Sequence, residues 1–447
     1  MKRISIWILA TGISLCLAGF TASACSIKTK GIDNDTQQGR PEGKIHVLSF
    51  SDAAASAERA AAERFNKTSP IKVVVDSGHA VGVEYNAAVI ESIKAGRSPD
   101  IFMSWGAAGI RSLARSGQLL PLDGFIRENP QLRDAFIPSV FREQVLDGDT
   151  YGIPMRGVSP VVLFHNKTVL RRLGLKPATT LSELHRQVSV LTSAGITPIG
   201  IGGADKWPQL MWFEYMFTRI MGSEVVAKGL NGSSQVWESN QSRAALQTIR
   251  KLVDSGAFGA AYDSVKYGDT GSAALLRDGK TAYELQGTWH YATTVSADAS
   301  FANQIGWTPF PALGGGIGKP GEIAGNLSNF YNVSASTRYP ETVRDYLEEL
   351  YSDEFLIDQI ELGNLPPTIN AGELVRSTAT LTPRNKEYLT FVVELVADAP
   401  TFQLSWDQTI PAERQASFQN SMAEYFNGSI DAQSWIRSMQ QLTSDIP

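Results

Sequence analysis

The sequence predicts an α/β protein of two lobes, each a mostly parallel sheet flanked by helices, with a helical tail at the end. Three observations carry this. Short apolar runs alternate with helical stretches three times over between Lys44 and Gln118. The alternation resumes after Tyr151, beyond several extended crossings. From Pro340 to Met439 the pattern is almost wholly helical, interrupted at "LGNLPPT". Strands joined by helices pair in parallel, because a helical crossover returns the chain to the starting edge of the sheet.

The first half opens with the strand "KIHVLSF" (44–50) and a helix starting near Asp52, whose carboxylate suits an N-cap. "IKVVVD" is the next strand, and "VGVEYNAAVIESIKAG" a helix with Val81, Tyr85, Val89 and Ile93 on one face and Gly96 past its end. "PDIFMSW" and "GAAGIRSLARSGQ" complete the third pair. Ligands of such sheets gather at the carboxyl ends of the strands, here Ser49–Asp52, Asp76–His79 and Ser104–Trp105. In the second half "GVSPVVLFHNK" is a strand, Thr180–Ala194 a helix, "TPIGIGG" a strand and Trp207–Met221 a helix. Ser242–Ser255 is helical, "LRDGKTAYELQGTWHY" holds a strand and a Gly turn, and "GNLSNFYNVSAS" reads as one further strand.

The chain of 447 residues begins with Lys2 and Arg3, an apolar run from Ile4 to Phe20 and a small, polar end. That is the pattern of a secretory signal, 1–24, too short for a stable membrane span. Both cysteines, Cys16 and Cys25, lie in or at the end of it, so the exported body has no internal disulfide. "ASAC" resembles the bacterial lipobox, with Ala22 where Leu is usual; lipidation of Cys25 and a plain cut near Ala24 are the two readings. Residues 25–43 are polar and read as a flexible tether. The net charge of −5, with no block of Lys or Arg, argues against a nucleic-acid surface.

Catalytic signatures are missing: there is no G-x-S-x-G, H-E-x-x-H or C-x-x-C. "GGGIGKPGE" lacks the spacing of a phosphate loop, with Pro320 where Ser or Thr would hold magnesium. The five histidines stand singly without metal-ligand spacing, so no metal and no cofactor is expected. A pair of carboxylates converging from distant positions stays open. Four of the nine tryptophans sit at strand ends or helix starts beside polar residues: Trp105, Trp212, Trp289 and Trp406. A flat indole suits the apolar face of a pyranose ring while nearby acids, amides and Arg bond its hydroxyls. The alternative for each is a place in the core.

Seven segments, in order, resemble the extracellular solute-binding proteins of bacterial ABC sugar importers, the family that includes maltose-binding protein. They are "AGRSPDIFMSWG", "LLPLDGFI", "DGDTYGIPMRGVSPVVLFHNKTVLRRLGL", "TTLSELHRQVSVLTSAGITPI", "LLRDGKTAYELQGTW", "WTPFP" and "SDEFLIDQIELGNLPPT". The departures are His165 where Tyr is usual and Glu284 in an apolar strand. The resemblance implies a two-lobe, type II periplasmic-binding-protein fold that closes on a sugar, without catalysis. The lobes would be 44–155 with 312–365, and 156–311 with 366–447. It implies stacking by Trp105, Trp289, Trp406 and Trp212, and polar contacts from Asp52, Arg156, Glu214, Asn329 and Asp407. For Asp52 the helix cap is an equal alternative. The implied partners are a neutral oligosaccharide, permease subunits in the membrane and, through Cys25, a lipid anchor on the outer face of the cell membrane; a monomer is expected. The ligand would be a short plant-derived xylo-oligosaccharide, with cello-, malto- or chito-oligosaccharides as alternatives. A surface-anchored carbohydrate-active enzyme and an adhesin are the competing functions.

Overall fold

In the first half, β1 (Lys44–Phe50) pairs in parallel with β2 (Lys72–His79) and β3 (Ile101–Ser104). Helices α1 (Ala55–Thr68) and α2 (Val83–Lys94) are the crossovers, and α3 (Ala107–Arg115) follows. The structure, a computed structural model, describes residues 43–79 and 83–444. The leader, Cys25, the tether up to residue 42 and Val81 lie outside the described residues. Tyr85, Val89 and Ile93, spaced four apart, are all buried against this sheet, as a helix with one apolar stripe requires. Among the described residues no helix is long and apolar enough to cross a membrane.

After a small hairpin of β4 (Val145–Leu146) and β5 (Asp149–Thr150), β6 (Gly152–Pro154) enters the first sheet and the chain crosses to β7 (Ser159–Asn166) in the second. All eight residues of β7 are buried. Its alternate side chains serve two cores: Val161 and Leu163 pack on one face of the sheet, Val162 and Phe164 on the other. A strand covered on both faces reads as a continuous apolar run rather than an alternating one. β8 (Thr197–Gly200) pairs in parallel with β9 (Thr281–Gly287), which lies antiparallel to β7. β10 (Ile305–Thr308) pairs antiparallel with the carboxyl end of β7.

The stretch 322–334 does not form one strand. β11 (Ile323–Asn326) joins the second sheet, antiparallel to β7. Residues 327–329 then cross, and β12 (Phe330–Val333) enters the first sheet between β3 and β6, antiparallel to both. The boundary expected at 312 therefore moves: residues 323–326 belong with the second sheet, and the chain returns to the first only at β12. Gly325 marks the switch. Its φ is +151°, and a Cβ there would strike the backbone of Ser159 and Pro160. The parallel pairing expected of β2, β1 and β3 is present, while the strands that arrive by crossing from the other sheet, not through a helix, pair antiparallel. Both sheets are therefore mixed.

The tail is helical, as its pattern predicts, but holds one short strand, β13 (Phe402–Leu404), parallel to β11 at the edge of the second sheet. A third crossing, around Leu365, lies beside the first. The Val158 N–H donates to the Leu365 carbonyl at 2.8 Å, and a Cβ on Gly157 would collide with that carbonyl. Backbone at this point has no room for a side chain.

Candidate functional site: an aromatic cavity between two sheets

The cavity encloses about 1130 Å³, its open mouth included, and is lined by residues from both sheets and from all three crossings. The first sheet contributes Phe50 and Asp52 at the end of β1 and Trp105 at the end of β3. These are the carboxyl ends at which the β-α order places a ligand site. Phe50 and Trp105 stack with ring centroids 5.4 Å apart and planes 5° from parallel, and Tyr85 props Trp105 edge-on at 5.5 Å. Locked against two rings, the indole cannot swing away from the cavity.

The second sheet supplies the opposing wall. Trp289 begins the helix Trp289–Ala297 directly after β9, and its ring folds back over Gly287, where a Cβ would fall on the indole. The Gly in "GTW" is thus a packing requirement of the Trp two residues on. Trp207, the first residue of the helix Trp207–Met221, lies 6.1 Å from Trp289, and Tyr267 meets Trp207 edge-on at 5.2 Å. Trp105, Trp207, Trp289 and Tyr267 are each half-buried.

The crossings form the polar floor. Arg156, on the first crossing, is buried and donates from Nη1 to Asp52 Oδ2 at 2.6 Å and from Nε to Glu58 Oε1 at 2.7 Å. Its guanidinium lies 4.2 Å from the centre of the Phe50 ring. Ala54, not Asp52, is the N-cap of α1, but Asp52 Oδ1 accepts from the N–H of Ala55, the first residue of the helix, at 3.2 Å while the other oxygen holds Arg156. Burial raises the Asp52 carboxyl above its ordinary value against the pull of Arg156, and Glu58 adds to the rise. Asn329 and Asn364 come from the other two crossings. Among the described residues lining the cavity, Arg156 is the one cationic side chain, and two carboxylates hold it. Seven amides line the cavity: Asn86, Asn326, Asn329, Asn364, Gln408, Gln415 and Gln419. Amides both donate and accept, which suits uncharged hydroxyls rather than an ion.

Of the nine residues expected to form the site, the structure brings six to the cavity: Trp105, Trp289, Asp52, Arg156, Asn329 and Asp407. Trp212, Trp406 and Glu214 are not among the lining residues. Trp212 is 1 % exposed and meets Phe258 and Phe310 edge-on. The helical period explains its place: Leu210 and Met211, three and four residues after Trp207, share its cavity face, whereas Trp212, five residues on, points elsewhere. Nearly the whole helix is buried, so every direction away from the cavity is core. Trp406 is 0 % exposed, packed against Phe217 and Trp237, while its neighbours Ser405 and Asp407 face the cavity.

Glu214 acts from beneath the wall. It accepts from Ser405 Oγ at 2.6 Å and from the Trp406 N–H at 2.9 Å, fixing the turn that presents Ser405 and Asp407. Burial pushes its carboxyl up from 4.5 to about 8. Because the folded value exceeds the unfolded one, the stability it contributes is complete below about 4.5 and is lost as pH rises to about 8. Glu284, buried in β9 and bonded by Ser272 Oγ at 2.7 Å, is pushed up to about 7 by burial and acts in the same direction. Melting temperature should fall as pH rises from about 6.5 to 8, above the range in which His165 and His290, pushed by burial to about 4 and about 3, act in the opposite direction. Glu214→Gln should flatten that fall; an unchanged slope would place the titration elsewhere.

Sequence reasoning left Trp207 unassigned and missed Phe50, Tyr267 and most of the amides. Phe50 obeys the strand-end rule that selects Asp52, and Trp207 follows a Gly-rich strand end, so both were readable. Tyr267 lies in an aperiodic loop. Gln415 and Gln419 share a face of the helix Ala412–Phe426 only by virtue of where that helix docks. Among the described residues no group of three or more His, Cys, Asp or Glu side chains could hold a metal ion.

The profile of the bacterial extracellular solute-binding proteins matches residues 49–355. The chain belongs to that family. An uncharacterized ABC-transporter extracellular-binding protein of Pyrococcus horikoshii is 24% identical to this solute-binding protein over 341 residues, 75% of this chain and 72% of that one. A structure from a study of xylan utilization by Caldanaerobius polysaccharolyticus superposes with a TM-score of 0.78 at 23% identity, covering 89% of this chain and 99% of the other. A chitin oligosaccharide binding protein superposes with a TM-score of 0.77 at 21% identity, over 90% and 98% of the two chains. This solute-binding protein thus has the two-lobe, type II periplasmic-binding-protein fold.

Proposed function

We propose that this chain is the capture subunit of an ABC importer and holds a neutral oligosaccharide in the cavity between its two sheets. The observation that carries this is the pair of facing aromatic walls, Phe50 with Trp105 and Trp207 with Trp289, together with seven amides and, among the described lining residues, no cation but the paired Arg156. Indoles take the apolar faces of sugar rings, and amides and Asp407 take the hydroxyls. Asp52, one of the two carboxylates at the cavity, is committed to Arg156, which favours holding a ligand over acid–base work on it. The xylan-utilization neighbour makes a xylo-oligosaccharide such as xylobiose the first ligand to try. The chitin oligosaccharide binding protein makes chito-oligosaccharides the next, before cello- and malto-oligosaccharides. The chain would work as a monomer, exported and anchored to the outer face of the cell membrane through lipidated Cys25, and deliver its sugar to permease subunits.

Calorimetric titration and thermal shift against xylo-, cello-, malto- and chito-oligosaccharides test the reading. A true ligand at a hundredfold its Kd should raise stability by about 2.7 kcal/mol. Flat melting curves across the whole panel would overturn it, and release of shorter sugars during incubation would turn it toward an enzyme.

A further inference from the structure

Glu284 stands as an acid in an apolar strand, and it is not among the residues that line the cavity. It lies on the face of β9 opposite Leu285, paired with Phe164 of β7. Glu284 and His290 are both fully buried. Glu284 Oε1 accepts from Ser272 Oγ, whereas Glu284 Oε2 and His290 Nε2 have no hydrogen-bond partner and lie 3.9 Å apart. Buried polar groups are nearly always bonded, so the two orphans match each other; a shift of about 1 Å or one shared water closes the gap. The other imidazole nitrogen, Nδ1, is 3.4 Å from the Tyr267 hydroxyl, which is also 3.4 Å from Thr293 Oγ1. Tyr267 and Thr293 both line the main cavity. A chain of exchangeable protons thus runs from a buried carboxyl to the cavity wall.

We infer that Glu284 and His290 form a proton relay that sets, with pH, whether Tyr267 offers a proton to the cavity. Its effect on a sugar rests on the function proposed above. A neutral imidazole carries one N–H, so the bond made at one nitrogen dictates what the other can do. While Glu284 is protonated it donates to Nε2. Nδ1–H then donates to Tyr267, whose own proton is left for Thr293 or a ligand. When Glu284 ionises, its proton passes to Nε2 and the Nδ1 proton leaves for solvent. Tyr267 then donates inward to the bare Nδ1 and meets the cavity only as an acceptor. Burial pushes Glu284 up to about 7, against a weaker pull from Ser272 and Gln286, and pushes His290 down to about 3. The acid therefore titrates near neutrality while the imidazole stays uncharged. Tyr267, raised by burial and further by Glu284 and Asp52, keeps its proton, and its backbone N–H is held by Asp205 Oδ2 at 2.7 Å. The helix Pro383–Asp398 brings Tyr388, also kept protonated by burial, to 6.3 Å from Phe164. Arg277, on the helix that carries Ser272, is paired with Asp278. Among the described residues no charged side chain shifts Glu284 or His290.

Long-range proton–nitrogen NMR spectra of the full chain read the relay without any ligand. One neutral imidazole should carry its proton on Nδ1 at about pH 6 and on Nε2 at about pH 8.5. In Glu284→Gln, whose amide can donate at every pH, the proton should stay on Nδ1. Calorimetric titration with xylobiose, or with chitobiose where that binds more tightly, reads the consequence. The lining carboxylates of Asp52 and Asp407 only accept, so a donor is the scarcer group. Affinity should therefore fall about threefold or more as pH rises across this window. Glu284→Gln should hold the affinity of the low-pH state throughout. Tyr267→Phe should lose the pH dependence while the imidazole still switches. A proton that stays on one nitrogen in the wild type, or an unchanged pH profile in Glu284→Gln, overturns the relay and leaves the sugar-binding function standing. If no sugar binds, that function falls, and the spectra alone decide the relay.

Discussion

Arg156→Met should lower folding stability by about 3–5 kcal/mol, the usual result of removing one partner from a buried ion pair. The guanidinium satisfies two carboxylates, and Glu58 is only 1% exposed, with no route to water once its partner is gone. Tyr331 donates to the other oxygen of Glu58 at 3.3 Å but carries no charge to replace the arginine. Urea unfolding measures the loss, and a fall of less than about 1 kcal/mol would show the cluster to be as weak as a surface pair. Arg156→Met with Glu58→Gln should recover part of the stability, because the buried charge leaves along with its partner. Sugar affinity should fall as well: Arg156 lies on a crossing and holds Asp52, so the floor of the cavity and the start of α1 are set by the same residue.

Trp289→Ala should weaken sugar binding tenfold or more while leaving the fold largely intact. Loss of about 1.4 kcal/mol suffices for tenfold, and an indole face against a sugar ring provides more area than that requires. The ring is half-buried and lies over Gly287 at the cavity wall, so its removal opens the wall without hollowing the main core of the second sheet. Calorimetric titration with the best sugar of the panel reads the effect. Unchanged affinity would make Trp289 a packing residue and leave Trp105 and Trp207 as the stacking surfaces.

Much of this protein is local in origin. The βαβ order, the strand-end positions of Phe50, Asp52 and Trp105, and the Gly that Trp289 needs were all readable, because hydrophobic period and turn chemistry act over a few neighbouring residues. The same local reading put Trp212 and Trp406 beside the ligand, since "LMWFEY" and "LSWDQT" look no different from "GTWHY". What separates them is the surroundings. The helix carrying Trp212 is enclosed nearly all round, and Trp406 is sealed by Phe217 and Trp237 from distant parts of the chain.

The switch between β11 and β12 was hidden for a related reason. Both strands are short and apolar, and nothing in three intervening residues says that the chain is changing sheets. The sequence by itself determined the two α/β halves, the family and the strand ends at which a cavity opens. Only the tertiary structure decided which aromatics line that cavity, how Arg156 is neutralised and which amides line it with them. The reason is that burial and pairing are settled by residues hundreds of positions apart, as in the bond from Asn86 to Gln415, and no local pattern encodes such meetings.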